Sequence, residues 1–296
     1  MDKIEDKLEG GSVCDSYPLL SSQFYTAIPH SFERRRPPVI STPEALGERY
    51  DMCNILLDMF DTNETIRQIA ANSAKEQVPY PADSHYESLK ADLSLVNTKS
   101  KEYKYVKKYF DETKHSHSSA KLLDIWTVDR HGESQCHKKF QKVENRRLLW
   151  HGTNIAVVAP ILTSGLRIMP HSGGRVGAGI YLASMQQKSA QYTSGYGAKF
   201  ACMFLCEGAL GKSHKVTSDG YHASSLKKAP KGFNSVHAVG TIAPESWTEM
   251  DIEGKSVQVP DNKGHNSGVD SSFSHDEFLV YDEAQVRLRY VITVKL

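Results

Sequence analysis

The sequence predicts an α+β protein: an all-α segment, residues 1–73, then a linker at 74–81 and a larger domain on a mainly antiparallel sheet, residues 82–296. Three observations carry this. Up to Ser73 the apolar residues recur with a helical period. The stretch AKEQVPYPAD then holds two prolines and no apolar period, which marks a linker. Beyond it, strand-like stretches follow one another with few helices between them. That order argues against a doubly wound parallel sheet.

In STPEALGERYDMCNILLDMF, Thr42 stands as an N-cap before a first-turn Pro43, and Met52, Ile55, Leu56 and Met59 recur at i, i+3, i+4, i+7. A second helix is predicted at NETIRQIAAN, with Ile66, Ile69 and Ala70 on one side. The preceding ERRRPPVI is a basic, proline-broken loop that reads as solvated surface. After the linker, Leu89, Ala91, Leu93 and Leu95 alternate with polar residues as a strand, and KEYKYVKKYFDET sets Tyr103, Val106 and Phe110 on a helix face. Further strands are expected at LLDIWTVD, RRLLWH, GIYLA, ACMFLCEGAL, EFLVYD and QVRLRYVITVKL. In the last, Val286, Leu288, Tyr290, Ile292 and Val294 share one face and Arg287, Arg289, Thr293 and Lys295 occupy most of the other, as in a sheet with one covered face. VVAPILTSG reads as a helix burying Ile155, Val158, Ile161 and Leu162 and stopping at Gly165. Pro160 inside it costs about 3 kcal/mol and kinks the helix unless it lies in the first turn.

Composition removes some function classes. Lys and Arg number 36 against 35 Asp and Glu, so no global charge points to nucleic acid or a membrane surface. MDKIEDKLEGG has no apolar core of the kind a signal peptide needs, and no stretch reaches the length of a membrane span, so a soluble intracellular protein is expected. The five cysteines form no CxxC. Cys202 and Cys206 are separated by roughly 13 Å along one strand, which excludes a shared disulfide or metal and makes them core thiols.

Several residues suggest chemistry. In LLWHGTN a strand ends in His151 and Gly152, which is either an ordinary turn or an imidazole and a bare backbone offered to a ligand. In SMQQKSAQY, Ser184 is a candidate N-cap, and Met185, Ser189 and Tyr192 fall at i, i+4, i+7. A hydroxyl beside an aromatic ring could hold an amide-bearing ring, or Tyr192 could be a core aromatic. GAGIYL places two glycines before Tyr181, for a tight bend or close approach to a ligand. Glu277 opens EFLVYD as a solvated strand end or an electrostatic catalyst at a cleft edge. GGRVGAGIYL fails as a dinucleotide fingerprint, because Leu182 stands at the third glycine position, so a dehydrogenase is the weak rival.

Taken together and in order, WHGT, GAGIY, KSAQY, ALG and DEFLVYD resemble the catalytic domain of the poly(ADP-ribose) polymerases. The likeness runs from about residue 18 to the end and is strongest to a DNA-break-responsive member that mainly adds single ADP-ribose units. It implies the two-sheet fold of the diphtheria-toxin-type ADP-ribosyltransferases, preceded by a truncated helical domain. The implied reaction is transfer of ADP-ribose from NAD, the co-substrate, to protein acceptors including the enzyme itself, with no metal. In this likeness His151 meets the adenine-side ribose, Gly152 and Ser189 hold the nicotinamide amide, Tyr192 stacks on its ring and Tyr181 closes the other side. Glu277 completes a His-Tyr-Glu triad, and Thr153 and Arg167 join the NAD-binding set. A carboxylate suits the reaction because cleaving the bond to nicotinamide leaves an oxocarbenium-like sugar.

The resemblance further implies a nuclear protein of DNA repair, without membrane association. The helical likeness starts only near YPLLSSQFYTAIPH, so the earlier helices are expected to be missing, and DNA breaks would act only through a domain absent from this chain. Ala178, Leu182 and Phe278 depart from the residues usual at those positions, but no triad group is lost. The runner-up function is a non-catalytic module that binds NAD or ADP-ribose.

Overall fold

A computed structural model describes all residues except 29, 31, 33–35, 74–80, 170–173, 194–197 and 221–224. Two compact units emerge, Met1–Leu57 with Met169–Ser172, and Asp58–Ile168 with Gly173–Leu296.

The N-terminal helices are α1 (Asp2–Leu8), α2 (Tyr17–Ala27) and α3 (Pro43–Ser73). Thr42 caps α3 by accepting the Ala45 N–H at 3.2 Å, and Pro43 sits where no N–H is needed. In the first unit Ile4, Leu20, Phe24, Tyr25, Ile40 and Leu46 form a small core. The separate helix predicted at NETIRQIAAN is corrected: that segment continues α3. Its polar residues do not interrupt the helix, and Thr62 Oγ1 simply donates to the Asp58 carbonyl one turn back at 2.7 Å. The side chains of Ile66, Ile69 and Ala70 lie outside the described residues, as do 74–80 of the predicted linker and Arg34 and Arg35 of the basic loop.

The second unit continues through α4 (Pro81–Ser88), β1 (Ala91–Leu95), α5 (Lys101–Thr113), β2 (Lys121–Arg130), α6 (Glu133–His137), β3 (Arg146–Gly152), α7 (Val158–Ser164), β4 (Ile180–Ala183), α8 (Gln186–Ala190) and β5 (Phe200–Ala209). It ends with β6 (Ser213–Val216), β7 (Ser235–Ala238), β8 (Ile242–Pro244), β9 (Trp247–Ile252), β10 (Lys255–Pro260), β11 (Gly264–Asn266), β12 (Glu277–Val280) and β13 (Val286–Lys295). The main path runs β1-β2-β13-β5-β3-β4-β12-β7-β6, with β10 beside β3 and β9, while β11 and β8 form a separate two-stranded sheet. Among the described residues only β6–β7 and β10–β3 pair in parallel. The predicted mainly antiparallel α+β class therefore holds.

Pro81 opens α4 where sequence reading placed the end of a linker; proline is favoured at a first helical position, where its missing N–H is not used. The alternation of β1 also fails at its end. Leu95 is 58% exposed and Val96 is buried instead, as the chain leaves the strand for α5. There Ser100 caps the helix, and Val106, Tyr109, Phe110 and Thr113 are buried.

Pro160 proves harmless. Asn154 Oδ1 accepts the Ala156 N–H at 2.9 Å and starts a 3-10 turn over Ile155–Val157, so α7 begins only at Val158. Pro160 thus lies in the first turn, where helical N–H groups have no intrahelical partner. Gly165 ends α7 at φ 86, as expected, whereas Ile155 is exposed rather than buried.

The largest correction concerns β13, buried on both faces. Val286 and Leu288 pack with Leu149, Phe204 and Val291, but Tyr290, Ile292 and Val294 join a different core with Val106, Phe110 and Trp150. Against β5 the register jumps from Leu288↔Cys206 to Tyr290↔Leu205. Arg289 is the extra residue of a β-bulge, and one inserted residue exchanges the faces. Arg287 and Arg289 are buried because carboxylates meet them: Arg289 Nε donates to Glu207 at 2.7 Å and Arg287 to Glu253 at 2.6 Å. Of the two strand cysteines, Cys206 is buried and Cys202 half-buried, and both are free thiols.

Candidate active site

Three neighbouring strands, β3, β4 and β12, carry His151, Tyr181 and Glu277. Glu277 is opposite Ala183 and Leu279 opposite Tyr181, so Glu277 and Tyr181 are diagonal neighbours on one face. Behind them Tyr109 and Phe110 of α5 pack on Trp150 at 5.0 and 6.1 Å between ring centroids, fixing β3.

His151 Nδ1–H donates to the Tyr181 carbonyl at 3.0 Å, which leaves the Nε2 lone pair free. Burial lowers its pKa from 6.5, and the bond to Tyr181 opposes this only in part. The imidazole is therefore a neutral acceptor at pH 7. The Tyr181 hydroxyl is already used: it donates to the Gly177 carbonyl at 2.8 Å and accepts the Val176 N–H at 3.1 Å, stapling that loop. Burial, with Glu277 and Tyr281 nearby, pushes its pKa above the ordinary tyrosine value. Gly177 has φ +103, and a Cβ there would lie 2.1 Å from the Leu226 carbonyl, so this glycine serves a bend and a close backbone contact.

Gly152 is constrained from within the protein. A Cβ would sit 1.8 Å from the Ser189 carbonyl oxygen, so α8 lies directly on the end of β3. The bare backbone makes room for α8, a reason the sequence reading did not contain. Ser189 Oγ donates to the Trp150 carbonyl at 3.1 Å, and Ser189 is buried. Thr153 follows, half-buried, just past the strand.

Two expectations about α8 need correction. The N-cap position is Met185, not Ser184, whose buried hydroxyl has no hydrogen-bond partner among the described residues. Tyr192 lies past Ala190, in the turn after the helix, because α8 closes with Tyr192 N–H bonding the Ser189 carbonyl at 3.1 Å. Tyr192 is 57% exposed, which excludes a core aromatic and leaves an open ring face.

Glu277 is buried at 8% exposure, the opposite of a solvated strand end. Lys188 Nζ is 3.2 Å from its Oε1 and 3.4 Å from the Tyr192 hydroxyl. Lys188 was not singled out from sequence, although it stands inside KSAQY; its partner is distant in the chain. Gln187 and His275, also missed, meet at 2.7 Å. Arg167 is placed differently from the rest, since its Nη1 lies 2.7 and 2.9 Å from the two carboxylate oxygens of Asp58 on α3.

The arrangement gathers a neutral imidazole, a hydroxyl against a strand end, an exposed aromatic face and a shielded carboxylate. An amide-bearing ring fits the hydroxyl and aromatic, and a developing positive charge fits the carboxylate.

A family model described as the poly(ADP-ribose) polymerase catalytic domain matches residues 100–296, and one described as the poly(ADP-ribose) polymerase regulatory domain matches residues 2–86. Among similar proteins are two named protein mono-ADP-ribosyltransferase PARP3. That of Mus musculus is 44% identical over 94% of this chain and 53% of its own length. That of Homo sapiens is 43% identical over 100% of this chain and 56% of its own length. Poly [ADP-ribose] polymerase 1 of Xenopus laevis is 36% identical over 93% of this chain and 28% of its own. The chain thus spans about half the length of the first two and less of the third. With both family models matched in order over nearly the whole sequence, the chain belongs to the poly(ADP-ribose) polymerase family.

Proposed function

We propose that this protein is an NAD-dependent ADP-ribosyltransferase that cleaves the nicotinamide–ribose bond of NAD and transfers ADP-ribose to protein side chains, its own included. The observation that carries the reading is Glu277, a buried carboxylate on the face of Tyr181 and paired with Lys188, which also reaches the Tyr192 hydroxyl. NAD fits the residues present: Gly152 and Ser189 hold the nicotinamide amide, Tyr192 stacks on the ring, Tyr181 bounds the pocket, and His151 with Thr153 and Arg167 holds the rest. Bound NAD supplies a cationic leaving group on an activated sugar. Glu277 then stabilises the positive charge that develops on the ribose.

The relatives named mono-ADP-ribosyltransferases favour single units over chains. A nuclear role in the response to DNA breaks is the context that the family resemblance implies. Incubation with NAD tests the reading: a transferase releases nicotinamide and gains mass, by one increment for a mono-transferase and by a ladder for a polymerase. A chain that shifts its melting temperature with NAD but releases no nicotinamide is a binding module instead.

A further inference from the structure

The main sheet ends at β6, two strands outward from β12, and among the described residues β6 pairs only with β7. The Lys212 carbonyl accepts the Asn234 N–H at 2.8 Å and the Val216 carbonyl accepts the Val239 N–H at 2.9 Å, so Lys212 and Val216, with His214 between them, turn their backbone groups to β7. Backbone groups alternate in direction along a strand, so the N–H and C=O of Ser213 and Lys215 point outward. That edge is where a further strand can add.

Charge around the edge is one-sided. Between Gly208 and Pro244 the sequence holds five lysines, Lys212, Lys215, Lys227, Lys228 and Lys231, no arginine, and a single acid, Asp219. Arg175 takes that acid, with Nε 2.7 Å from its Oδ2. All five lysines are exposed, and among the described residues none is paired with a carboxylate. Lys212 and His214 share one side of β6, where the lysine Nζ and the imidazole each lie 5.0 Å from the centre of the Phe233 ring. Lys215 lies on the other side. Lys231 stands in the turn that the Phe233 N–H closes on the Pro230 carbonyl at 3.0 Å, and Lys227 and Lys228 lead into it.

Three occupants compete for such a surface, and its chemistry separates them. A second copy of β6 would set Lys212 and Lys215 against their own kind, and edge lysines oppose that pairing. Nucleic acid would bring phosphates, but the strip has no arginine fork, and the Phe233 ring is half-buried against Lys212 and His214 rather than free for a base to stack on. An acidic peptide satisfies both features of the edge. Its backbone meets the outward groups of Ser213 and Lys215, and carboxylates at successive positions alternate between the faces, so that one meets Lys212 and the next Lys215. We propose that the β6 edge with its five lysines is a docking strip for an extended acidic segment of a partner protein, which adds to the main sheet as a strand. Neither NAD nor Glu277 takes part, so the proposal stands apart from the transferase reading.

The test titrates the full chain, without NAD, with a short fluorescent peptide of Glu-Glu-Val repeats, which carries carboxylates on both faces of a strand. Two other probes are a Glu-Glu-Pro repeat, which keeps the charge but cannot pair along an edge, and a single-stranded oligonucleotide of equal charge. Wild type should bind the valine peptide saturably, more tightly than either other probe, and with an affinity that falls as salt is added. Lys212→Glu combined with Lys215→Glu should weaken this binding by about tenfold, as for two exposed ion pairs turned into repulsions. Lys212→Gln combined with Lys215→Gln should fall between the two. Both pairs are surface changes, so melting temperatures should stay close to wild type. No saturable binding, equal binding of the proline peptide, tighter binding of the oligonucleotide, or wild-type affinity in the folded variants overturns the proposal.

Discussion

Lys188 holds Glu277: Nζ and Oε1 are 3.2 Å apart, and both side chains are largely shielded, at 17% and 10% exposure. Burial alone would lower the lysine pKa, but Glu277 and Tyr192 more than offset it and raise it. The ammonium is thus a shielded cationic partner that holds the carboxylate in place.

Glu277→Gln keeps shape and hydrogen bonding but removes the charge. NAD binding should persist while turnover falls by about 10²–10³-fold, the loss typical of one electrostatic transition-state group. Lys188→Met should lower turnover to a smaller extent, because Glu277 keeps its charge but loses the partner that holds it in place. Near-normal turnover in Glu277→Gln, or a loss in Lys188→Met as large as in Glu277→Gln, contradicts these roles.

Gly152→Ala places a methyl 1.8 Å from the Ser189 carbonyl, which is backbone and cannot rotate away. Either α8 or β3 must shift, and the cost expected is about 1–3 kcal/mol, as for overpacking. Denaturant melts measure the stability loss, and benzamide titration should show weaker binding because Ser189 and Tyr192 move with α8. A stable variant with normal benzamide affinity would mean that the contact is not tight.

Asp58→Asn releases Arg167 from its bidentate partner. The pair is half-exposed on the arginine side, so it is worth at most about 1 kcal/mol. If Arg167 contacts NAD, its release should raise NAD affinity by no more than about fivefold, since 1.4 kcal/mol is tenfold. The gain should shrink with added salt. Equal NAD affinity in Asp58→Asn and wild type removes Arg167 from the ligand set.

Glu207 governs stability rather than chemistry. Burial alone would raise its pKa, but His137, Arg289 and Arg146 hold it at about 2 against an ordinary 4.5. A carboxylate with a depressed folded pKa stabilises the fold above its unfolded value, so its contribution, roughly 3 kcal/mol, is lost as pH falls from about 4.5 towards 2. Glu207→Gln should flatten that acid limb. It should also destabilise the protein at neutral pH by about 3 kcal/mol, because Arg146 is left buried without its charge partner while Arg289 keeps only Glu253. Urea melts across this pH range decide both points.

Sequence was most informative where local chemistry repeats in structure. Thr42 and Pro43 marked the start of α3, Val106 and Phe110 the buried face of α5, and six apolar stretches the positions of β2, β3, β4, β5, β12 and β13. The short strands β6 to β11 were not legible, because three to six residues carry too little alternation to stand out and their pairing partners are distant in the chain. The candidate site was legible as residue types in order, His151, Tyr181, Ser189, Tyr192 and Glu277, but not as a set of contacts.

Alternation and capping along the chain determined the α+β class and most of the long elements, because both depend on neighbours within a turn or a strand. Only the tertiary structure decided the rest. It inserted a bulge at Arg289 and so split β13 between two cores, and it made Gly152 a clearance for Ser189 rather than a ligand contact alone. It also set Lys188 on Glu277 and Gln187 on His275. Register, backbone approach and charge pairing join residues far apart in sequence, and no local pattern records which of them will meet.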